Sequence, residues 1–361
     1  MDKKLPLRKG LAIGIVLLFI GTCIIPTNAQ NANKSSSPNS RGNWLYVGGS
    51  GPGNYTRIQD AINASTDGDT VFVYDDDAPY HEQLTINKTI SLIGESMPTT
   101  VIDGNKTLAF IIFVFANGVQ IRNLTIRNAT SADVVVAGDD VTIMQTSISD
   151  ANMGIDIKVF WLPYVQRERI ALLENHISHT YFGIITSYYC NNSTFQGNTI
   201  EDNQYGMVLS SSFHNTILLN TLRNNSKEGI LDSYGADNSI MQNTFEDNTQ
   251  GLDINCSYAD HVERNTFLRN AKHANFAKLP YWECEHLFEA RHFKESYILT
   301  NYHAFGSTTW DANYWNASLT HPYLIQGWSI YQYRFPRLPR IPRVEVDWHP
   351  AQEPYDIPGM R

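Results

Sequence analysis

Apolar and polar residues alternate in short runs along most of the chain. Thr70-Val71-Phe72-Val73-Tyr74, Leu84-Thr85-Ile86, Ile90-Ser91-Leu92-Ile93 and Thr100-Val101-Ile102 are the first of these runs, and asparagine and glycine separate them. A period of two, bounded by turn-forming residues, predicts half-buried β-strands. Just upstream, Ile58, Ala61 and Ile62 fall at helical spacing within residues 55–64. They predict a short amphipathic helix that caps the N-terminal end, where open strand edges invite aggregation.

The strands repeat. Asn198-Thr199-Ile200, Asn220-Thr221-Leu222, Asn243-Thr244-Phe245 and Asn265-Thr266-Phe267 begin 22, 23 and 22 residues apart, and Gly183, Gly206, Gly229 and Gly251 keep the same beat. A unit of this size has too few apolar residues to bury a core alone, so units must stack. The pattern predicts an all-β fold, a right-handed parallel β-helix with coils of 22–23 residues, a short N-terminal capping helix and an irregular C-terminal cap. Stacking places equivalent residues about 4.8 Å apart along the axis. Ile200, Leu222, Phe245 and Phe267 then form an inward apolar column. Asn198, Asn220, Asn243 and Asn265 form a ladder of side-chain amides, which also suits the left-handed backbone of tight turns. The coils extend over residues 43–316, residues 317–361 form a cap or tail, and Trp310, Trp315 and Trp328 plug the C-terminal end.

The N-terminus has a different character. Lys3, Lys4, Arg8 and Lys9 precede an apolar run from Leu11 to Ile25, which Pro26 breaks before Ala29. This is the layout of a secretory signal over residues 1–29. The run is short for a membrane span, which needs about 20 residues, so an uncleaved anchor is the only membrane contact in view. Residues 30–42, rich in Asn and Ser, read as a flexible linker. Loss of residues 1–29 removes four basic residues and one acidic residue, leaving 23 Lys+Arg against 35 Asp+Glu, a net charge of −12. Such a surface repels nucleic acid and argues against it as a partner. Three cysteines remain, Cys190, Cys256 and Cys284, too few for a disulfide framework. Sequons recur from Asn54 to Asn316, and those on exposed turns are candidates for glycosylation.

Gly68-Asp69-Thr70-Val71, Tyr80 and Glu82, Ile86-Asn87-Lys88, Ile90-Ser91-Leu92-Ile93-Gly94 and Ile102-Asp103-Gly104 resemble the opening of NosD-type β-helix proteins. These belong to the pectin-lyase-like superfamily, and many archaeal surface proteins share the opening. Asn313-Tyr314-Trp315 is similar to a motif that ends many such helices. The resemblance implies a fold much more firmly than an activity. Its associations are carbohydrate binding or cleavage and, for NosD itself, copper delivery in the periplasm. The acidic, glycine-rich segment that often follows Asn-Tyr-Trp is absent, and the ending around Asp347 and His349 has no counterpart in the resemblance.

Candidate chemistry follows from these associations. Lyases of this fold hold Ca²⁺ with carboxylates on one sheet face, which draws attention to Asp156, Asp232 and Asp253. Asp156 and Asp253 occupy equivalent slots four coils apart, about 19 Å at strand spacing and too far to share a metal or form a glycosidase pair. Asp232 and Asp253 lie on neighbouring coils and are expected to approach each other. Cys284, His286 and His292 cluster in sequence and supply thiolate and imidazole, the donors copper favours. The segment 335–343, with Pro or Arg at every third position, reads as a polyproline-II strand with a basic edge. The interval from Gly154 to Gly183 is 29 residues, and an insertion in a solenoid forms a loop on one face, often the binding face. Phe160, Trp161 and Tyr164 in that loop offer flat surfaces for sugar rings, Arg167 and Arg169 offer charges for carboxylates or sulfates, and Tyr181 and Tyr205 follow on the next coils. The sequence therefore points to a secreted or cell-surface protein that binds a polysaccharide or cell-surface glycan without catalysis. The alternatives are a polysaccharide lyase or glycoside hydrolase, and a copper accessory protein; Ca²⁺ or Cu is the cofactor each would bring.

Overall fold

The computed structural model describes residues 42–158, 166–187, 189–278, 308–317, 319, 321–329 and 341–355. They form a right-handed parallel β-helix with three sheets running along its length. Sheet A has eleven strands, from Trp44–Val47 to Thr309–Asp311. Sheet B has nine, from Val101–Asp103 to Tyr314–Trp315, and sheet C has eleven, from Leu84–Ile86 to Ile341–Asp347. Every strand pairing is parallel except the last in sheet C, where Ile341–Asp347 runs antiparallel to Tyr323–Ser329.

The interior is built from columns of equivalent residues. In sheet B one column runs through Ile148, Ile177, Ile200, Leu222, Phe245, Phe267 and Trp315, all buried. Its aromatic end is a stack of rings: Phe245 on Phe267 at 4.7 Å, Phe267 on Trp315 at 4.5 Å and Trp315 on Tyr323 at 4.1 Å, all within 8° of parallel. At the other end the helix Ile58–Ala64 (α1) turns Ile58, Ala61 and Ile62 into the core. Glu82 accepts the Ile58 and Gln59 amides at 2.9 and 3.1 Å, satisfying donors that a helix start leaves open.

The asparagine ladder extends beyond the four predicted rungs. From Asn175 through Asn198, Asn220, Asn243, Asn265 and Asn313, each backbone amide and each Nδ2 donates to the next Oδ1 at 2.9–3.1 Å. The ladder ends on Asp347, whose Oδ2 accepts from Asn313 N, Asn313 Nδ2 and Trp315 Nε1. The C-terminal segment is thus the ladder's terminator. The left-handed turns, by contrast, do not fall on the ladder asparagines. They fall one residue earlier, at Gly197, Leu219, Gln242 and Arg264, with φ between 53° and 67°. The rung's own hydrogen bonds hold a turn that Leu, Gln or Arg would otherwise disfavour.

Two further expectations change at the cap. Trp310 and Trp315 are buried, but Trp328 is exposed, because alternate residues of the strand Tyr323–Ser329 face outward. The part of 335–343 that is described, from Ile341 onward, is antiparallel β-strand and not polyproline II; Pro342 is tolerated there because the strand is an edge.

The glycine column has a steric cause. A Cβ on Gly154, Gly183, Gly206, Gly229 or Gly251 would lie 2.5–2.7 Å from a carbonyl oxygen of the next coil. Only glycine lets the coils close to this distance.

Candidate functional site

Sheet C has the longest strands and the most varied outer face. One outward column runs Met153, Phe182, Tyr205, Glu228, Gln250 and Lys272, each just before the glycine position except the last. A second runs Asp156, Ile185, Val208, Leu231, Asp253 and Asn275. One position beyond the second column, Thr186, Leu209, Asp232, Ile254 and Phe276 point into the core.

Three aromatic side chains meet around Tyr205. Phe182 and Tyr205 stack at 5.1 Å, and Tyr181 lies 4.5 Å from Phe182 and 5.7 Å from Tyr205. Tyr181 is 41% exposed. Lys227 donates to the Tyr205 hydroxyl at 2.9 Å and lies 4.7 Å from its ring centre, and this contact raises its pKa. Further along, Lys272 is held by Asn275, whose amide also donates to Asp253 at 2.9 Å. Both lysines therefore rest on neutral partners. The arginines of sheet B and the turns, in contrast, are paired with carboxylates: Arg127 with Asp103, Arg223 with Glu201, Arg269 with Asp247.

Two carboxyls on this face stand apart from ordinary surface acids. Burial raises Asp253, with Asn275 and Lys272 opposing it. Burial also raises Glu228, helped by the nearby charge of Asp253, and its Oε2 is enclosed without a hydrogen-bond partner. A carboxyl raised in this way takes up a proton more readily than a free surface acid, and its protonated form can donate a hydrogen bond.

The expected site residues separate on the structure. Tyr181 and Tyr205 come together. Asp156 is buried and bonded to Ser187 at 3.1 Å, and the register keeps it four coils from Asp253. Asp232 does not approach Asp253 on the surface. Asp232 pairs with Ile254 and Asp253 with Leu231, and successive strand positions face opposite sides of a sheet. Arg167 lies 3.6 Å from Asp139, and Arg169 grips Asp140 through two nitrogens at 2.5 and 2.9 Å, with Glu168 also at 2.6 Å. Their charges serve neighbouring turns. Phe160, Trp161 and Tyr164, like Cys284, His286 and His292, lie outside the described residues.

Phe182, Lys227, Glu228, Lys272 and Asn275 escaped the sequence reading. For Phe182 and Glu228 the signal was the position immediately before a glycine of the repeat; Lys227, Lys272 and Asn275 carry no such mark.

Residues 62–317, more than two thirds of the chain, match the family described as periplasmic copper-binding protein (NosD). The chain belongs to the NosD family. Copper favours imidazole, thiolate and thioether donors. Among the described residues, Asp75, Asp76 and Glu95 are the one group whose ligand atoms gather within 4.8 Å. An exposed, all-oxygen set of this kind suits a hard cation by donor type and does not fit copper. No curated protein matches the sequence. Similar solved structures include the A-module of the mannuronan C-5 epimerase AlgE4 of Azotobacter vinelandii, with 14% identity, TM-score 0.47 and coverage of 61% of this chain and 76% of that one. The Dettilon tailspike protein gives 11%, 0.45, 62% and 54%, and pectin methylesterase PemA of Erwinia chrysanthemi 15%, 0.36, 56% and 78%. No helix among the described residues is long and apolar enough to cross a membrane.

Proposed function

We propose that this NosD-family protein works in the periplasm or outside the cell and binds a glycan on the outer face of sheet C, without turning it over. The observation that carries the reading is the trio Tyr181, Phe182 and Tyr205, with Lys227 on the Tyr205 hydroxyl and Lys272 further along the same column. Flat aromatic rings stack on the apolar faces of sugars, and a lysine without a carboxylate partner is available to an acidic substituent.

A second reading is favoured by one specific feature, the raised pair Glu228 and Asp253 on adjacent coils. Two such acids beside a lysine are the components of proton transfer to a glycosidic oxygen. A single experiment separates the readings. The chain from residue 30 onward is screened against neutral and acidic glycans, and each bound glycan is then incubated and examined for shortened or unsaturated products. Binding without products, weakened at least tenfold by Tyr205→Ala, is the expected result. Products lost in Glu228→Gln would establish the second reading, and retained binding in Tyr205→Ala would move the site off this face.

A further inference from the structure

Two carboxyl groups lie inside the solenoid near its last coils. Asp232 interrupts the inward column between Leu209 and Ile254. Asp260 is the last rung of a further ladder that runs Ser193, Asn215, Asn238, Asp260, in which each amide donates to the next side chain at 3.0 Å. Both acids are fully buried.

Donors to this pair are few. Asn238 gives its backbone amide to Asp260 Oδ1 and its Nδ2 to Asp232 Oδ2, both at 3.0 Å. Ser257 donates to Asp232 Oδ2 at 3.3 Å and also faces Asp260. Asp232 Oδ1 and Asp260 Oδ2 have no partner, and neither does Thr308 Oγ1 at the equivalent rung of the following coil. Asp347, the terminator of the long ladder, collects four donors with His349 N.

The ladder register identifies what Asp260 lacks. Every asparagine rung gives its Nδ2 to a main-chain carbonyl of the preceding coil, as Asn215 does to Cys190, Asn238 to Ser212 and Asn243 to Ile217. In Asp260 the counterpart of that Nδ2 is Oδ2. An oxygen stands where the ladder calls for a donor, and only a proton turns it into one. The charged surroundings agree. Asp232 and Asp237 both act on Asp260 with like charge, and Asp237 itself faces His214 at 3.7 Å. Cys256 precedes Ser257 in the same turn, and His261 beyond it is held by Thr309 Oγ1 at 2.9 Å. Among the described residues no lysine or arginine pairs with either carboxyl. Burial holds both acids well above the ordinary carboxylate range.

We propose that Asp260 is a proton-dependent rung, neutral in the folded chain, with Oδ2–H replacing the ladder amide and Asp232 as its acidic partner. Loss of that proton loosens the joint between the turn at Asp260 and the final coil at Thr308. A carboxyl raised by folding stabilises fully below its unfolded pKa, about 3.9, and the contribution is lost as pH rises toward the folded value. One proton makes local opening tenfold easier per pH unit across that window.

Hydrogen exchange read by mass spectrometry tests the joint on the intact protein between pH 5 and 9, corrected for intrinsic rates. The amides of Asn238, His261 and Thr309, which bond to Asp260 Oδ1, Asn238 O and Asp260 O, should lose protection about tenfold per pH unit over part of this range. Those of Asn198 and Asn220, on the long ladder, should not. Asp260→Asn should keep protection high at every pH. Flat wild-type protection would overturn the proposal. So would a loss of protection on chelation of calcium, or an Asp260→Asn chain that is already open at pH 5, since either means that a bound cation, and not a proton, satisfies the pair.

Discussion

Replacing Asp347 by alanine tests whether the C-terminal segment is an integral part of the solenoid. Asp347 is fully buried and accepts Asn313 N at 3.0 Å, Asn313 Nδ2 at 3.1 Å and Trp315 Nε1 at 3.0 Å on one oxygen. The fourth donor, His349 N at 3.1 Å on the other oxygen, belongs to an exposed residue and finds water when the carboxylate goes. The three buried donors do not. A buried donor without a partner costs about 1–3 kcal/mol, and Asn313 Nδ2 keeps its second bond to Val262 O. The expected loss is therefore roughly 3–6 kcal/mol, limited by the ease with which the strand Ile341–Asp347 detaches and lets water in. Asp347→Asn retains one acceptor oxygen and should lose about 1–2 kcal/mol. Urea denaturation followed by far-UV circular dichroism gives both values, and limited proteolysis reports whether the segment detaches first. Asn152→Ala, an exposed position, serves as the control. A loss below about 1 kcal/mol for Asp347→Ala would show that the ladder does not depend on its terminator.

Two other substitutions probe the coil geometry. Gly206→Ala places a Cβ 2.5 Å from the Gly229 carbonyl, and overpacking of this kind should destabilise by about 1–3 kcal/mol in the same denaturation assay; a neutral result would mean that the coils can separate freely. Arg169→Ala removes a two-pronged but half-exposed ion pair with Asp140, so thermal melts at 0.15 M salt should change by less than about 1 kcal/mol, and a glycan-binding defect in this variant would return Arg169 to the binding surface.

The fold was legible because its grammar is written at a fixed period. The asparagines at 198, 220, 243 and 265 and the apolar residues two positions on needed only the stacking rule to become a ladder and a column. The additional ladder keeps the same beat, at 193, 215, 238 and 260, but its rungs are Ser, Asn, Asn and Asp, and a search for repeated identity passes over it. Asp347 lies outside the repeat altogether, and nothing in its neighbours announces that a ladder ends on it. The surface was harder still. Asp232 and Asp253 are near in sequence and both acidic, yet the alternation of a strand sends one to the core and the other to the surface. Phe182, Tyr205, Glu228 and Lys272 keep the coil spacing too, but they differ in chemistry, and only their shared place in the outward column of sheet C joins them.

The polarity of the ladders links these observations. Each rung donates toward the C-terminus, so an unbroken ladder always arrives at its last coil with a main-chain amide and a side-chain amide that lack an acceptor. An acidic residue is the economical solution, since it accepts without needing a further rung. Two of the ladders meet an acid near the cap, in opposite chemical settings, whereas a third, through Asn203, Asn225, Asn248 and Asn270, ends on an asparagine among the described residues. Asp347 receives as many donors as a carboxylate can use. Asp260 receives one amide and shares Ser257 with a second acid, so the same device there is tied to pH. Burial is the first cause of the difference, and the like charge of Asp232, whose place in the core column would suit any aliphatic residue, adds to it. Asp232→Leu should therefore remove much of the pH dependence at the joint if the like charge of Asp232 is what holds the proton on Asp260. An unchanged exchange profile in that variant would place the cause in burial of Asp260 alone.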